Sequence, residues 1–552
     1  MVRGGRSSWG WVLALSLGCG GSDDTAADGG GTESASAGGS AISESTTGPE
    51  TTGGGEPGVF VHGTIEIPLG LSSSCEHDGA ERVLSERIKA IVPQRMYTAG
   101  CTDPSGVQRM FISLPVTTGH TRSHPVEVVD NNAALVFEVE MDESSGEFAT
   151  TGNAVHRTEC LDAHGITVAS DCSTVATLCR RPHFTSQTEP FTADLVAGFS
   201  GADTITQPGP IGGEPTEAHK DYNDEMWLYE WNGASLDEEP DKYVVHKGIG
   251  PLTRARGLGN YYLLNGESDD SYAYAVRAST GGNTRHVADS FLVVDRSGSQ
   301  YAIAEGRGYT WACGRGHTTF QRPVYNPYTQ QYAIWCVTDT NEDKIPGFVG
   351  FWFRTEAQGD DGDNQFMLVN GNADHRQGSP TVLQPLPNGN FLGVLVGHPD
   401  DVEDWQLWAA TKIGLAEFDG TSGRLVRDIK WIVSDSDHYL GHAQLGIIGE
   451  DRFLLGYARL YELGGPTDNG RNQPAFQIPT QYYALEIDSQ GNALTEITEL
   501  DGVGWGDQDQ WTHLGDGQVA WAYVPEPVLG PDGGVPSCSF DTLQLSSYRV
   551  AP

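Results

Sequence analysis

Short apolar runs of period two, each closed by an aspartate with a glycine soon after it, recur along this chain and constrain its fold more than any other feature. Three of them are built alike, with Ser290-Phe-Leu-Val-Val-Asp-Arg-Ser-Gly298 leading to Tyr301, Gly414-Leu-Ala-Glu-Phe-Asp-Gly-Thr-Ser-Gly423 leading to Leu425, and Tyr482-Tyr-Ala-Leu-Glu-Ile-Asp-Ser-Gln-Gly491 leading to Ala493. Alternation over so few residues is the period of a strand, and Asp with Gly supplies the tight turn between two of them. The outer hairpins are followed by histidines, at His246, His317, His375 and His438, and five residues after each by a new strand, at Pro251, Arg322, Pro380 and Ala443. A second inner strand follows over 261–264, 332–335, 391–394 and 453–456. One segment breaks the pattern, since Ala80 to Val92 has the spacing of a single short amphipathic helix.

Four-stranded units at intervals of about 60 to 70 residues resemble the blades of a β-propeller, in which no sheet can bury its faces alone and each stacks on its neighbours around a channel. Two earlier units, one with His156 ahead of Leu161 and one running from Arg95, add to these, as does a last unit with Val519 to Tyr523 and Leu543 to Val550. The expectation is an all-β propeller of about seven four-stranded blades, with six or eight also compatible. The last unit is one strand short. An open ring exposes a strand edge, and Val59 to Ile67 is placed to cover it. The Trp-Asp, kelch and sialidase Asp-box signatures are absent, so the resemblance names no subfamily.

Ahead of the repeats, Arg3 and Arg6 precede an apolar run from Trp9 to Leu17 and then Gly18 and Cys19, the order of a secretory signal. The segment Leu15-Ser16-Leu17-Gly18-Cys19 resembles a bacterial lipobox, which implies cleavage before Cys19 and acylation of that residue. It departs from the pattern at Ser16, where leucine is commoner. Gly20, in place of an aspartate, is what the resemblance associates with delivery to the outer membrane. The alternative is an ordinary secreted protein whose signal ends in cysteine. Residues 20–57 are almost wholly Gly, Ser, Thr, Ala and acids with no aromatic residue, too little apolar surface to offset chain entropy. In composition, though in no motif, they resemble lipoprotein tethers of myxobacteria and related Gram-negative genera. The organisation expected is a signal peptide over 1–18, a lipidated cysteine and disordered tether over 19–57, and the propeller over 58–552. Membrane attachment is expected through the anchor alone, because no stretch approaches the roughly 20 apolar residues of a spanning helix.

A net charge of −41 argues against nucleic acid, whose phosphates need clustered Lys and Arg. Setting Cys19 aside from the 9 cysteines leaves an even number, suited to disulfides in an oxidising compartment. Cross-strand pairs Cys160 with Cys179 and Cys313 with Cys336 are expected, and a Cys75 to Cys538 bridge that locks the ring leaves Cys101 with Cys172. Other connectivities stay open.

No phosphate loop, nucleophile elbow, His-Glu-x-x-His or dinucleotide fingerprint is present, and a propeller by itself assigns no activity. Three candidate sites remain. His246, His317, His375 and His438 recur at one place in the repeat, where imidazoles could converge on a divalent metal or a sugar acid. This resembles the seven-bladed oligogalacturonate lyases, in which histidines hold a divalent metal that acidifies the uronate carbon; the alternative is that each imidazole bonds its own blade. Asp339, Asn341 and Asp343 place oxygen ligands at alternate positions, as at the start of a Ca2+ loop, although Lys344 stands where such a loop has glycine. The alternative there is a solvated turn. Trp227, Trp231, Trp311, Trp405, Trp408, Trp505 and Trp511 stack on sugar rings if exposed and fill the space between blades if buried, the default. The function expected is a binding module for a glycan, peptide or envelope partner. The alternatives are a polysaccharide lyase or hydrolase using the histidine face, and a structural scaffold.

Overall fold

The structure is a computed structural model. It describes residues 58–550 apart from 67–95, 117–132, 142–147, 149–154, 159–161, 185–221, 250–261, 267–270, 280–286, 312–318, 341–345, 355–364, 368–378, 398–410, 464–475, 507–509, 524–541 and a few single or paired positions. The expected helix over Ala80 to Val92 lies outside the described residues.

The described strands form seven four-stranded antiparallel sheets. Six take consecutive strands, over 97–158, 162–249, 262–311, 319–367, 379–434 and 439–500, and are numbered here blades 1 to 6. Blade 7 takes three strands from 512–549 and its fourth, Val59–Glu66, from the other end of the domain. That strand pairs with Thr542–Arg549 along its whole length, from Val59 opposite Arg549 to Glu66 opposite Thr542. The edge left open by the short last unit is therefore covered, as the sequence requires. Each innermost strand also packs beside the innermost strand of the next blade, in the order Tyr97–Thr102, Asp162–Val168, Tyr262–Asn265, Thr319–Asn326, Ser379–Pro385, Tyr439–Gly449 and Thr512–Gly515, and the last packs beside the first. The sheets close into a ring, and the chain is an all-β propeller.

The core lies between blades, which explains why strands in the middle of a sheet read as continuous apolar runs. In Arg452–Leu463 of blade 6, Phe453, Leu455 and Tyr457 pack with Val382, Leu392 and Val394 of blade 5, while Leu454 packs on the opposite side with Trp521 and Tyr548 of blade 7. Ile65, Leu543 and Leu545 of blade 7 share a core with Met110, Ile112 and Phe137 of blade 1, so apolar burial as well as strand pairing closes the ring. Each such side chain contributes about 1.5 to 3 kcal/mol on full burial.

Three strand expectations change. Tyr262–Asn265 is the innermost strand of blade 3 and Ser271–Ser279 its second, whereas the sequence pattern puts 261–264 second, after a strand at Pro251, a position outside the described residues. Beyond the turns after Phe418 and Ile487, the outer chain makes single bridges at Leu425 and Ala493, and the fourth strands begin later, at Lys430–Ser434 and Thr498–Leu500. Asp339 lies inside the strand Gln331–Thr340, and only residues 341–345 separate it from Pro346–Arg354. Asn341 and Asp343 themselves are outside the described residues.

Cys101 and Cys172 are disulfide-bonded, with Cα atoms 5.4 Å apart, tying blade 1 to the first turn of blade 2. Cys179 and Cys336 sit on second strands, in Thr174–Phe184 and Gln331–Thr340. Cys160, Cys313, Cys75, Cys538 and the anchor candidate Cys19 are outside the described residues.

Candidate functional site

Antiparallel order gives the ring two different ends. The turns from first to second and from third to fourth strand lie at one, the turn end; the connections from second to third strand and from blade to blade lie at the other, the loop end.

The turn end is built from short polar side chains that bond their own turns and the next blade. Asp419 Oδ1 accepts the Thr421 and Ser422 amides, and Asp103 Oδ1 those of Ser105 and Val107. The Ser105 hydroxyl, against some desolvation, leads the group of donors that hold Asp103 down at about 2. Asn265 Nδ2 donates to Val168 O (2.7 Å), and Asn326 Nδ2 to Gly389 O (2.9 Å) and Asn390 O (3.0 Å), each bond crossing from one blade to its neighbour.

Beneath these turns three carboxylates are buried at equivalent places: Glu230, Glu417 and Glu486. Glu230 accepts from Tyr272 (3.0 Å), Tyr301 (2.7 Å) and Arg296 (3.0 Å) of blade 3. Glu417 takes Asn390 Nδ2 (2.7 Å) and Arg427 (3.2 Å), and Glu486 takes Arg452 and Tyr548. Burial pushes the Tyr272, Tyr301 and Tyr548 hydroxyls well above their ordinary range, so they remain donors. Sequence reading missed these acids, yet each precedes its turn Asp or Asn by two residues (Glu230 and Asn232, Glu417 and Asp419, Glu486 and Asp488), and that repeat was the available signal. Glu230 and Glu486 join their blades to the next one, whereas Glu417 is held within blade 5 by Asn390 and Arg427.

The loop end carries polar groups with open valences. Asp435, just past the last strand of blade 5, accepts the Asp437 (2.9 Å) and His438 (3.1 Å) amides on Oδ1. Its Oδ2 takes His438 Nδ1 (3.1 Å) and Arg459 Nε (3.0 Å). Burial opposes ionisation of Asp435, but the Asp437 amide, His438 and Arg459 together hold its carboxyl below the usual range. Arg459 also donates to Tyr483 OH (2.8 Å) and lies 4.9 Å over that ring, which stacks on Tyr457 at 5.2 Å. An imidazole and a guanidinium are therefore fixed side by side around one carboxylate, with His438 half exposed. Such an edge suits a carboxylate or a hydroxyl.

Further inward, His442 of the innermost strand and Trp505 hold each other: His442 Nδ1 donates to Trp505 O (3.2 Å), and Trp505 Nε1 to His442 O (2.6 Å). Trp505 meets Trp511 edge-on at 5.0 Å, and Trp511 stacks on Trp521 at 4.3 Å. Gly456 permits this packing, since a Cβ there would stand 2.5 Å from Trp511 and 2.8 Å from Trp505. Trp231, Trp505 and Trp511 are buried core residues, and Trp227 is partly buried against the core. Nothing is described of the Trp311 side chain or of Trp405 and Trp408.

The histidines expected to share a register do not hold equivalent places. His246 lies within Asp241–Ile249, the outermost strand of blade 2, opposite Met226, whereas His438 immediately precedes the innermost strand of blade 6. The cause is the late start of the inner strand in blade 3. His317 and His375 are outside the described residues. Among the described residues no group of three or more His, Cys, Asp or Glu side chains is placed to hold a metal ion.

No family model and no curated protein matches the chain. Among solved structures it is similar to the C-terminal WD40 domain of Sif2, at 7% identity and TM-score 0.33 over 83% of this chain and 95% of that one. It is similar to the GH93 α-L-arabinofuranosidase of Fusarium graminearum in complex with arabinobiose, at 9% and 0.36 over 70% and 92%. A thermostable family-43 glycoside hydrolase follows at 10% and 0.28 over 53% and 93%. Likeness at this level carries no argument about activity, and the propeller rests on strand order and ring closure.

Proposed function

We propose that the chain is a lipid-anchored extracytoplasmic binding module whose propeller takes a glycan, peptide or envelope partner at the loop end of its ring. The observation that supports this is the asymmetry of the two ends. At the turn end, Asp103, Asp419, Asn265 and Asn326 bond their own turns or the neighbouring blade, although Thr329 Oγ1, Gln331 Oε1 and Arg427 Nε are buried there without a partner among the described residues. At the loop end, connections as long as 185–221 leave the strands, and His438 and Arg459 present a fixed polar edge. The chain enters the ring at Val59, which the pairing with Arg549 puts at the turn end. The outer-membrane location rests on the lipobox resemblance.

The Asp435 and His438 pair favours a second reading, a polysaccharide lyase or hydrolase, because a carboxylate-held imidazole can serve as a general base. Short cello-, xylo-, arabino- and galacturono-oligosaccharides, tested for calorimetric binding and for new reducing or unsaturated ends, separate the readings. Binding without product is expected. Product lost in His438→Ala establishes the enzyme, and neither binding nor product leaves the glycan ligand without support. Cys19→Ala in a Gram-negative host is expected to abolish fatty-acid labelling and release the protein from membranes; retention overturns the anchor.

A further inference from the structure

Arg459 stands opposite Leu440 where the two inner strands of blade 6 pair, and His438 comes two residues before Leu440. Side chains alternate along a strand and directly opposed residues share a face, so Leu440 and Arg459 lie on one face of the sheet, with His438 at its end. The register breaks just beyond, at the left-handed His442 (φ 49°), so this pairing holds the face only over 439–441. Leu440, Tyr457 and Tyr483 belong to the core shared with blade 5. At the edge of that core His438 is 48% exposed and Arg459 38%, while the Asp435 that holds both is 15% exposed.

His438 and Arg459 each keep hydrogen-bonding capacity. Asp435 accepts, so His438 Nδ1 carries the proton of the neutral imidazole and Nε2 is left as an acceptor. Arg459 uses Nε on Asp435 and Nη1 on Tyr483, and neither its Nη2 nor His438 Nε2 has a partner among the described residues. Because His438 Nδ1 and Arg459 Nε reach the same Asp435 oxygen, they stand within about 6 Å of each other, close to the width of one sugar ring. Both side chains are fixed before a ligand arrives, so little rotamer freedom is lost on binding. An acceptor beside a donor complements two neighbouring hydroxyls, one giving to Nε2 and one accepting from Nη2. A carboxylate fits less well. It can only accept, so it would meet the Nε2 lone pair; the Arg459 charge is already matched by Asp435, and a chain of net charge −41 repels anions at longer range.

We propose that His438 and Arg459 read adjacent hydroxyls of an uncharged glycan, in preference to a uronate, at the loop-end corner between blades 5 and 6. This rests on the glycan form of the proposed function and names its ligand class. Both side chains are exposed and the contact is shallow, so wild type is expected to bind weakly, with Kd on the order of 1 mM. The cello-, xylo-, arabino- and galacturono-oligosaccharides are titrated against wild type, His438→Ala and Arg459→Met by ligand-observed NMR, beside thermal melts. A neutral oligosaccharide is expected to bind wild type more tightly than the galacturonate, and each substitution to weaken it about tenfold, the loss of one hydrogen bond. His438 is half exposed and Asp435 keeps its amide donors, so His438→Ala is expected to melt within about 2 °C of wild type. Arg459→Met also loses its bonds to Asp435 and Tyr483, and if it does not melt cooperatively His438→Ala decides alone. Wild-type affinity in His438→Ala overturns the inference and leaves the glycan reading standing, as does a galacturonate that binds tightest. A wild type that binds none of the sugars overturns both.

Discussion

Asp435 accepts hydrogen bonds from two amides, an imidazole and a guanidinium, and its carboxyl is held below the ordinary aspartate value of 3.8. A depressed folded value means that the group's stabilising contribution is fully present above the ordinary value and drains away as pH falls through the lower, folded one. Asp435→Asn is therefore expected to cost about 1 to 2 kcal/mol at neutral pH, the scale of partly solvated charge-assisted bonds. The difference in melting temperature between variant and wild type should shrink as pH is taken below 3.8. A constant gap down to about pH 2 would show that the carboxylate charge plays no part. At this scale the sequence was only partly legible. His438 stood out as a repeated histidine, but Asp435 and Arg459 come from separate elements that only the fold brings together. His442 gave no signal, because a left-handed histidine inside a strand has no local sequence mark, unlike the Asp and Gly of a turn.

The strand Val59–Glu66 shows how one element can govern the rest. Its Ile65 joins the core shared by blades 7 and 1, Phe60 packs on Tyr548 at 4.6 Å, and the Gly58 amide donates to Tyr548 OH at 2.9 Å. Tyr548 in turn bonds Glu486 of blade 6, so the strand is linked across two blade boundaries. Deleting residues 59–66 is expected to cost on the order of 5 kcal/mol in buried area and to bare a strand edge. For a domain of this size unfolding as one unit, that lowers the melting temperature by about 5 °C; a deletion that melts within about a degree of wild type contradicts closure by this strand. The strand was legible because its run of β-formers, Val59, Phe60, Val61, Thr64 and Ile65, survives without its partners, and because the last unit lacked a strand. Blade 3 was misread for the opposite reason. Pro251-Leu-Thr and Tyr262–Asn265 are both short apolar runs, and length alone does not tell which one pairs with Ser271–Ser279.

For the whole molecule, the division of labour between two ends follows from antiparallel order. Turns that begin and finish within a few residues can bond one another into a belt, as Arg427 of blade 5 does with Ser489 and Gln490 of blade 6. Longer connections are left to the opposite end. The turn end was written in the sequence as Asp, Asn and Gly; the loop end was not, because recognition surfaces have no period to read. Amide hydrogen exchange with and without a saturating oligosaccharide tests the central claim directly. Slowed exchange is predicted over residues 435–442 at the loop end, with the turns at 386–391, 449–452 and 515–518 unchanged; slowing confined to those turns, with the ligand bound, would contradict it.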